Sequence, residues 1–323
     1  MVPALWLRMK ETTPLNDTEA IRLRPAQETL IPDDQALQQQ LCEYLAEFVS
    51  PKRLQRLEHV LAHRTRWITV ALEEVYQTHN ASAILRTCDC FGVQDVHIVD
   101  ERNDYKIHHQ IALGSAQWLD LYRHQGPGSE EAIRRCCASL KDRGYRLLAT
   151  TPDKTATDLD DVDVSRGPMA LLFGTELEGL TPQAMEHVDE SIRIPMVGFT
   201  QSLNVSVSAA LILRRLTARL RAEGGTDTSM DAAQRLQIRL RWLRRSMHHG
   251  EALIRRFLAD HSIDVPDADP TPPATNVNLS GISQADFSGQ QIVPDLPIEL
   301  QQTDDTDQTD DEGAGHVTEG DEP

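Results

Sequence analysis

Long apolar runs are missing from this sequence: nowhere in its 323 residues do about 18 apolar side chains follow one another. Met1 to Glu11 also lacks the charged start and long apolar core of a secretion signal. Both absences point to a soluble, cytoplasmic chain with no membrane partner. Cysteine is scarce too. Cys42, Cys88, Cys90, Cys136 and Cys137 are odd in number and lack CxxC spacing or paired histidine ligands, so no disulfide framework and no metal site is expected. They read as reduced packing residues. Basic residues are absent altogether from one segment: from Asp264 to Pro323 there are 15 acidic side chains and no Lys or Arg.

What is present is an apolar fraction of 40%, enough for a core of ordinary size, and a net charge of −18 that is unevenly spread. Residues 1–45 hold 7 acidic and 4 basic side chains, which leaves the remaining chain, 46–263, with 28 of each sign. The acidity belongs to the ends. Inside the neutral centre, Pro51 leads into Lys52, Arg53, Arg56, Arg64 and Arg66, opposed only by Glu58. A second basic stretch, Arg214 to Arg256, has eleven Arg, no Lys and four acidic residues. Charge runs are most often solvated helix faces; arginine used to the exclusion of lysine tilts the reading toward phosphate contact.

Strand and helix signals alternate between these basic stretches. Strands are expected at ITVALEEVY, VQDVHIVD, LDLYRH, YRLLATT, PMALLFG and SIRIP. Helices are expected at NASAILRTCDCFG, at SEEAIRRCCASLKDRG with Ser129 as its N-cap, at TPQAMEHV with Pro182 in its first turn, and from Leu203 onward. The alternation predicts an α/β domain with a largely parallel sheet. Four regions follow: 1–45, a partly disordered N-terminal extension; 46–220, the α/β domain with its basic N-terminal helix; 221–262, an Arg-rich helical extension; and 263–323, a disordered acidic tail whose composition cannot offset chain entropy.

Three stretches fall at strand ends, where an open α/β sheet keeps its ligand site. In HNASAILRT, Asn80 stands where a helix N-cap is wanted and Arg86 about two turns later. FGTELEG is neither a GxGxxG nor a Walker loop; its glycines bracket Glu176 and allow the backbone to approach a ligand. IPMVGFTQSLNVSVSAALIL stops strand pairing at Pro195, turns at Gly198, and offers Ser202 or Asn204 as the cap of a helix apolar nearly all round. Such a helix is expected to bury its N-terminus, whose free N–H groups need partners.

Together and in this order the three stretches resemble the TrmH group of the SPOUT methyltransferases. The matching residues are Asn80, Ala83, Arg86, Thr87 and Gly92; Gly174, Glu176 and Gly179; and Ile194 through Ala210. The resemblance implies an α/β knot, a mostly parallel sheet between helices with a deep C-terminal trefoil knot, and a homodimer whose sites lie at the interface. It implies S-adenosylmethionine as cofactor, lined by Thr150, Gly174, Ile194 and Leu203, and methylation of a ribose 2′-hydroxyl in RNA. Arg86 is then the catalytic residue, with Asn80, Glu176, Ser202 and Asn204 completing the site. A guanidinium holds its proton near pH 7, so Arg86 is expected to bind the adjacent phosphate and stabilise developing alkoxide charge. Helical extensions on both sides of the domain resemble the enzymes that modify guanosine 18 of tRNA. Lys52, Arg53, Arg56, Arg241, Arg244 and Arg245 are the expected tRNA contacts. Ribosomal RNA, another tRNA position, or a catalytically silent RNA-binding module are the alternatives.

Overall fold

In the computed structural model the described residues are 21–22, 30–75, 78–99, 114–223 and 228–263. The acidic segment from Asp264 onward, and residues 1–20 and 23–29 of the N-terminal extension, lie outside them.

Eight strands form one sheet: β1 (Ile21–Arg22), β2 (Ile68–Glu73), β3 (Asp95–Val99), β4 (Asp120–His124), β5 (Arg146–Thr150), β6 (Thr157–Asp158), β7 (Met169–Phe173) and β8 (Glu190–Arg193). Their order is β1-β4-β3-β2-β7-β5-β8-β6, and all pairings are parallel except β1 with β4. The central strands β2, β3 and β7 are buried at every position, which is why they read as continuous apolar runs. From β2 the chain builds outward through β3 and β4, then crosses to build β5, β7 and β8 on the other side. The direction of growth reverses where β2 meets β7, with Leu72 opposite Phe173. Loops leaving these two strands diverge and leave a crevice at their carboxyl ends.

Helix α3 (Thr78–Phe91) follows β2, α4 (Ser129–Asp142) follows β4, the short α5 (Pro182–Met185) follows β7, and α6 (Val205–Glu223) follows β8. Ile84, Leu85 and Cys88 of α3 and Ala209, Ile212, Leu213 and Leu216 of α6 pack on Val70, Leu72, Leu171 and Phe173 of the sheet. On the opposite side Ala132, Ile133, Cys136, Cys137 and Leu140 of α4 pack on Ala71, Val99, Leu147, Ala170 and Leu172. Each fully buried Leu or Ile contributes about 1.5–3 kcal/mol by leaving water. Ser129 does not cap α4 as expected: Gly128 stands at the N-cap with no side-chain bond, and Ser129 is the first helical residue. All five cysteines are free thiols and four are buried; Cys90 is the exposed one.

Four more helices make a separate layer: α1 (Gln35–Ala46), α2 (Pro51–Ala62), α7 (Ala232–Arg245) and α8 (Gly250–Asp260). Leu41, Cys42 and Leu45 of α1 meet Leu236, Leu240 and Leu243 of α7 and Ile254, Phe257 and Leu258 of α8. Residues from both ends of the chain therefore share one apolar cluster. The boundary expected at 220/221 falls inside α6. Within the N-terminal extension α1 is capped by Asp34, whose carboxylate accepts from the Leu37 amide at 2.7 Å.

Candidate active site

The crevice at the carboxyl ends of β2 and β7 receives one side chain from each of the three singled-out stretches. Asn80 lies in the first turn of α3, just beyond β2, and is buried. Glu176 lies in the loop leaving β7, and Asn204 immediately precedes α6. Asn80 Nδ2 donates to Glu176 Oε1 at 3.0 Å. Asn204 Nδ2 donates to the same Glu176 oxygen and, at 3.2 Å, to Asn80 Oδ1. Residues separated by more than a hundred positions are thus joined in one triangle of hydrogen bonds.

Asn204 is tied at its other end as well. Its Oδ1 accepts from the Ser206 amide at 2.9 Å, the Ser206 hydroxyl at 2.6 Å and the Val207 amide at 3.4 Å. It caps α6, which settles the choice left open between Ser202 and Asn204. With its oxygen committed to the helix N-terminus, its NH2 group must face Glu176. Ser206 holds this orientation, a part that reading the three motifs did not foresee.

The Glu176 loop owes its shape to its glycines. Thr175 and Gly179 exchange two backbone hydrogen bonds, at 2.9 and 3.1 Å, and Gly179 adopts φ +73°. A Cβ on Gly174 would sit 2.1 Å from the Gly179 carbonyl oxygen. Gly174 therefore makes room for the loop's own return strand. The Thr175 hydroxyl accepts from the Glu178 amide at 3.1 Å and closes the turn. Behind it, the Thr181 amide and hydroxyl donate to the Glu73 carboxylate at 2.9 and 2.6 Å, which locks the end of β2 to the start of α5.

Arg86 stands apart from the triangle. It is exposed on α3, has no ion pair among the described residues, and so presents a cation to whatever binds there. Ser202 is also exposed, with no hydrogen bond among the described residues. Of the expected cofactor-lining residues, Thr150 at the end of β5 is half-buried and its hydroxyl donates to the Leu172 carbonyl at 2.9 Å. Ile194 is half-buried against the sheet core, and Leu203 is exposed. Between them, Pro195 to Leu203 make no backbone-to-backbone hydrogen bond among the described residues. That stretch offers main-chain donors and acceptors, unused by other main chain among the described residues, beside apolar side chains.

The N-terminus of α6 is not enclosed as expected. Val207 and Leu211 are each 46% exposed, and the loops beside them project Leu177, Val197 and Phe199 at 98%, 105% and 108%. An apolar helix with one side packed on α3 and the other in water has an open apolar face.

The basic residues divide. Lys52, Arg53 and Arg56 are exposed on α2. Arg241 and Arg244 are buried, which corrects the expectation that they face phosphate. Arg241 Nη2 donates to Asp120 Oδ2 at 2.7 Å, and Arg66 Nη2 donates to the same oxygen at 2.8 Å. Arg66 and Arg143 continue the network to Asp95. Buried carboxylates at the start of β3 and β4 require counter-charges, and α7 supplies one. Arg245 is half-buried and donates to the Gln117 carbonyl.

On the α4 side of the sheet, away from the crevice, His97, His124 and Cys136 place nitrogen and sulfur atoms within 4.8 Å of one another, all buried. The rings of His97 and His124 are hydrogen-bonded at 2.8 Å. Burial, with Arg143 nearby, holds the His124 pKa down to about 4, and burial beside His124 and Arg143 holds His97 well below the usual range. Both rings stay neutral near pH 7.

A largely parallel α/β sheet with a polar triangle at its reversal point has the ligand-site layout of an open α/β fold, and beside it stands an arginine with no ion pair among the described residues. Residues 67–214 match the model of the SpoU rRNA Methylase family. The chain is 35% identical over 200 residues to a tRNA (guanosine(18)-2′-O)-methyltransferase of Borreliella burgdorferi, covering 62% of this chain and 88% of the relative. It is 43% identical over 161 residues to the same-named protein of Thermus thermophilus, covering 50% and 79%. Among solved structures, a TrmH/SpoU tRNA modifying enzyme of A. aeolicus superposes with a TM-score of 0.50 at 28% identity, covering 66% of this chain and 98% of that one. The chain belongs to the SpoU methylase family, in its TrmH branch.

Proposed function

We propose that the chain transfers a methyl group from S-adenosylmethionine to the ribose 2′-hydroxyl of guanosine 18 in tRNA. The observation that carries this reading is the hydrogen-bonded triangle of Asn80, Glu176 and Asn204 at the β2/β7 crevice, with Arg86 exposed on the same helix as Asn80. The two relatives most similar in sequence that are described above are named for that reaction.

Main-chain groups between Pro195 and Leu203, with Ile194, Leu203 and the ends of β5 and β7 at Thr150 and Gly174, would hold the cofactor, which when bound supplies an electrophilic methyl on a sulfonium. The work left to the protein is alignment and stabilisation of a 2′-oxygen as it loses its proton. Arg86, as a guanidinium, binds the phosphate beside the target ribose and stabilises developing charge on that oxygen. Glu176, fixed by two amide donors, and Ser202 orient substrate groups entering the crevice. Lys52, Arg53 and Arg56 on α2 hold the tRNA backbone through phosphate contacts.

The open apolar face of α6 and the loops bearing Leu177 and Phe199 support a homodimer in which each site is completed by the second copy. The trefoil knot implied by the three motifs, and a cytoplasmic location, belong to the same reading. Incubating the protein with methyl-labelled cofactor and purified tRNA or ribosomal RNA, followed by nucleoside mapping, tests it. Label is expected in 2′-O-methylguanosine from tRNA; label confined to ribosomal RNA, or in neither RNA from a folded, cofactor-binding protein, overturns it.

A further inference from the structure

His97, His124 and Cys136 stand far apart in sequence, at no spacing that marks a metal site, and the topology of the sheet brings them together. His97 lies on β3, His124 ends β4 and Cys136 is on α4. The two strands run parallel with His97 opposite Tyr122 and Val99 opposite His124, so the histidines are diagonal neighbours on one face. That face is the one α4 covers, with Cys136 packed beside Val99. All three side chains are fully buried, at 0% exposure, and their donor atoms lie within 4.8 Å of one another. Stacking on Tyr122, with ring centroids 4.9 Å apart, fixes the plane of His97.

The hydrogen-bond accounting of the two rings does not close. A neutral imidazole carries one N–H and one bare nitrogen. The 2.8 Å bond between His97 Nδ1 and His124 Nε2 uses one nitrogen of each ring, and neither His97 Nε2 nor His124 Nδ1 has a hydrogen-bond partner among the described residues. Whichever ring donates, one buried N–H is left without an acceptor and one bare nitrogen without a donor. Orphaned groups of this kind are rare in protein interiors and point to a bound species.

We propose that His97, His124 and Cys136 bind one copper(I) ion in a three-coordinate site between α4 and the sheet. Two imidazoles and a thiol, with no carboxylate among them, form a soft donor set. Bonds of about 2.0 to 2.3 Å to one ion hold such donors roughly 3.3 to 4.0 Å apart, so the cluster closes on the ion by side-chain shifts of about 1 Å. Charge selects the oxidation state. Arg143 acts on both rings and on the thiol, and Glu73 acts on the thiol, so the surroundings supply one charge of each sign and no net counter-charge. Copper(I) replaces the Cys136 thiol proton, which leaves to solvent, and the buried charge is unchanged. Zinc(II) would add a positive charge that nothing offsets, and it favours a fourth ligand, which no other His, Cys, Asp or Glu among the described residues supplies.

The test uses the full chain without RNA or cofactor. Copper(I), kept reduced under anaerobic conditions, is titrated against the competing chelator bicinchoninate. One tightly held ion per chain is expected, retained by Cys90→Ala, which removes the exposed thiol, and weakened at least about a hundredfold by Cys136→Ala and by His124→Phe. No tight binding to the wild type overturns the proposal, as does loss of binding in Cys90→Ala or unaltered binding in Cys136→Ala. Zinc(II) displacing copper(I) at equal concentration overturns the choice of ion. Should the two buried variants fail to fold, copper X-ray absorption on the wild-type complex decides. One sulfur and two nitrogen neighbours are expected, and sulfur neighbours alone overturn the site.

Discussion

Asn204 serves the helix and the site with opposite ends of one amide. Its oxygen is held by the N-terminus of α6 and the Ser206 hydroxyl, and its NH2 group by Glu176 and Asn80. These functions separate on substitution. Asn204→Asp keeps an oxygen for the helix cap but sets a second carboxylate against Glu176, whereas Asn204→Ala loses the cap, worth about 1 kcal/mol. The expected outcome is that Asn204→Asp lowers methyl transfer at least about a hundredfold with a smaller thermal penalty than Asn204→Ala. A thermal melt and a steady-state assay on both variants check it; near-normal turnover of Asn204→Asp would remove the donor role. The identity of the triangle was legible in the sequence, because Asn80, Glu176 and Asn204 each sit in a motif at a strand end. Its wiring was not: nothing in FGTELEG announces that Gly174 is needed for the return of Gly179, 2.1 Å from where its Cβ would be.

At the level of elements, α6 explains both a success and an error of sequence reasoning. Its apolar residues on nearly every side correctly signalled a helix that is not a simple surface helix. They could not say what covers each side. Ala209, Ile212, Leu213 and Leu216 are buried on the sheet, while Val207 and Leu211 remain exposed, because a single chain has only one layer to offer that helix. In the proposed homodimer a second copy supplies the other. Val207→Asp with Leu211→Asp leaves the packed side untouched but sets charges into the proposed interface, where an unpaired carboxylate costs several kcal/mol. Light scattering is expected to show a dimer for the wild type and a monomer for the variant, with methyl transfer reduced in parallel. A wild-type monomer, or a variant dimer of normal activity, contradicts the interface.

Across the whole molecule, alternating strand and helix signals were enough to read the sheet, since buried parallel strands such as Ile68–Glu73 and Met169–Phe173 are continuous apolar runs. The helical layer was harder. Arg241 and Arg244 look like any basic helix residues until Asp120, 121 positions before Arg241, is seen to face Arg241 from β4. Long-range charge pairing leaves no local periodicity to detect. The result is that α7 is anchored to the sheet by buried charge, while Lys52, Arg53 and Arg56 of α2 stay exposed. That arrangement sets a basic face and a crevice on one body, as an enzyme acting on a folded polyanion requires. The central claim concerns a single oxygen atom. The most direct measurement compares methyl transfer to an intact tRNA with transfer to the same tRNA carrying 2′-deoxyguanosine at position 18. The intact tRNA is predicted to accept one methyl group and the deoxy tRNA none, whereas equal incorporation into both would contradict the assignment.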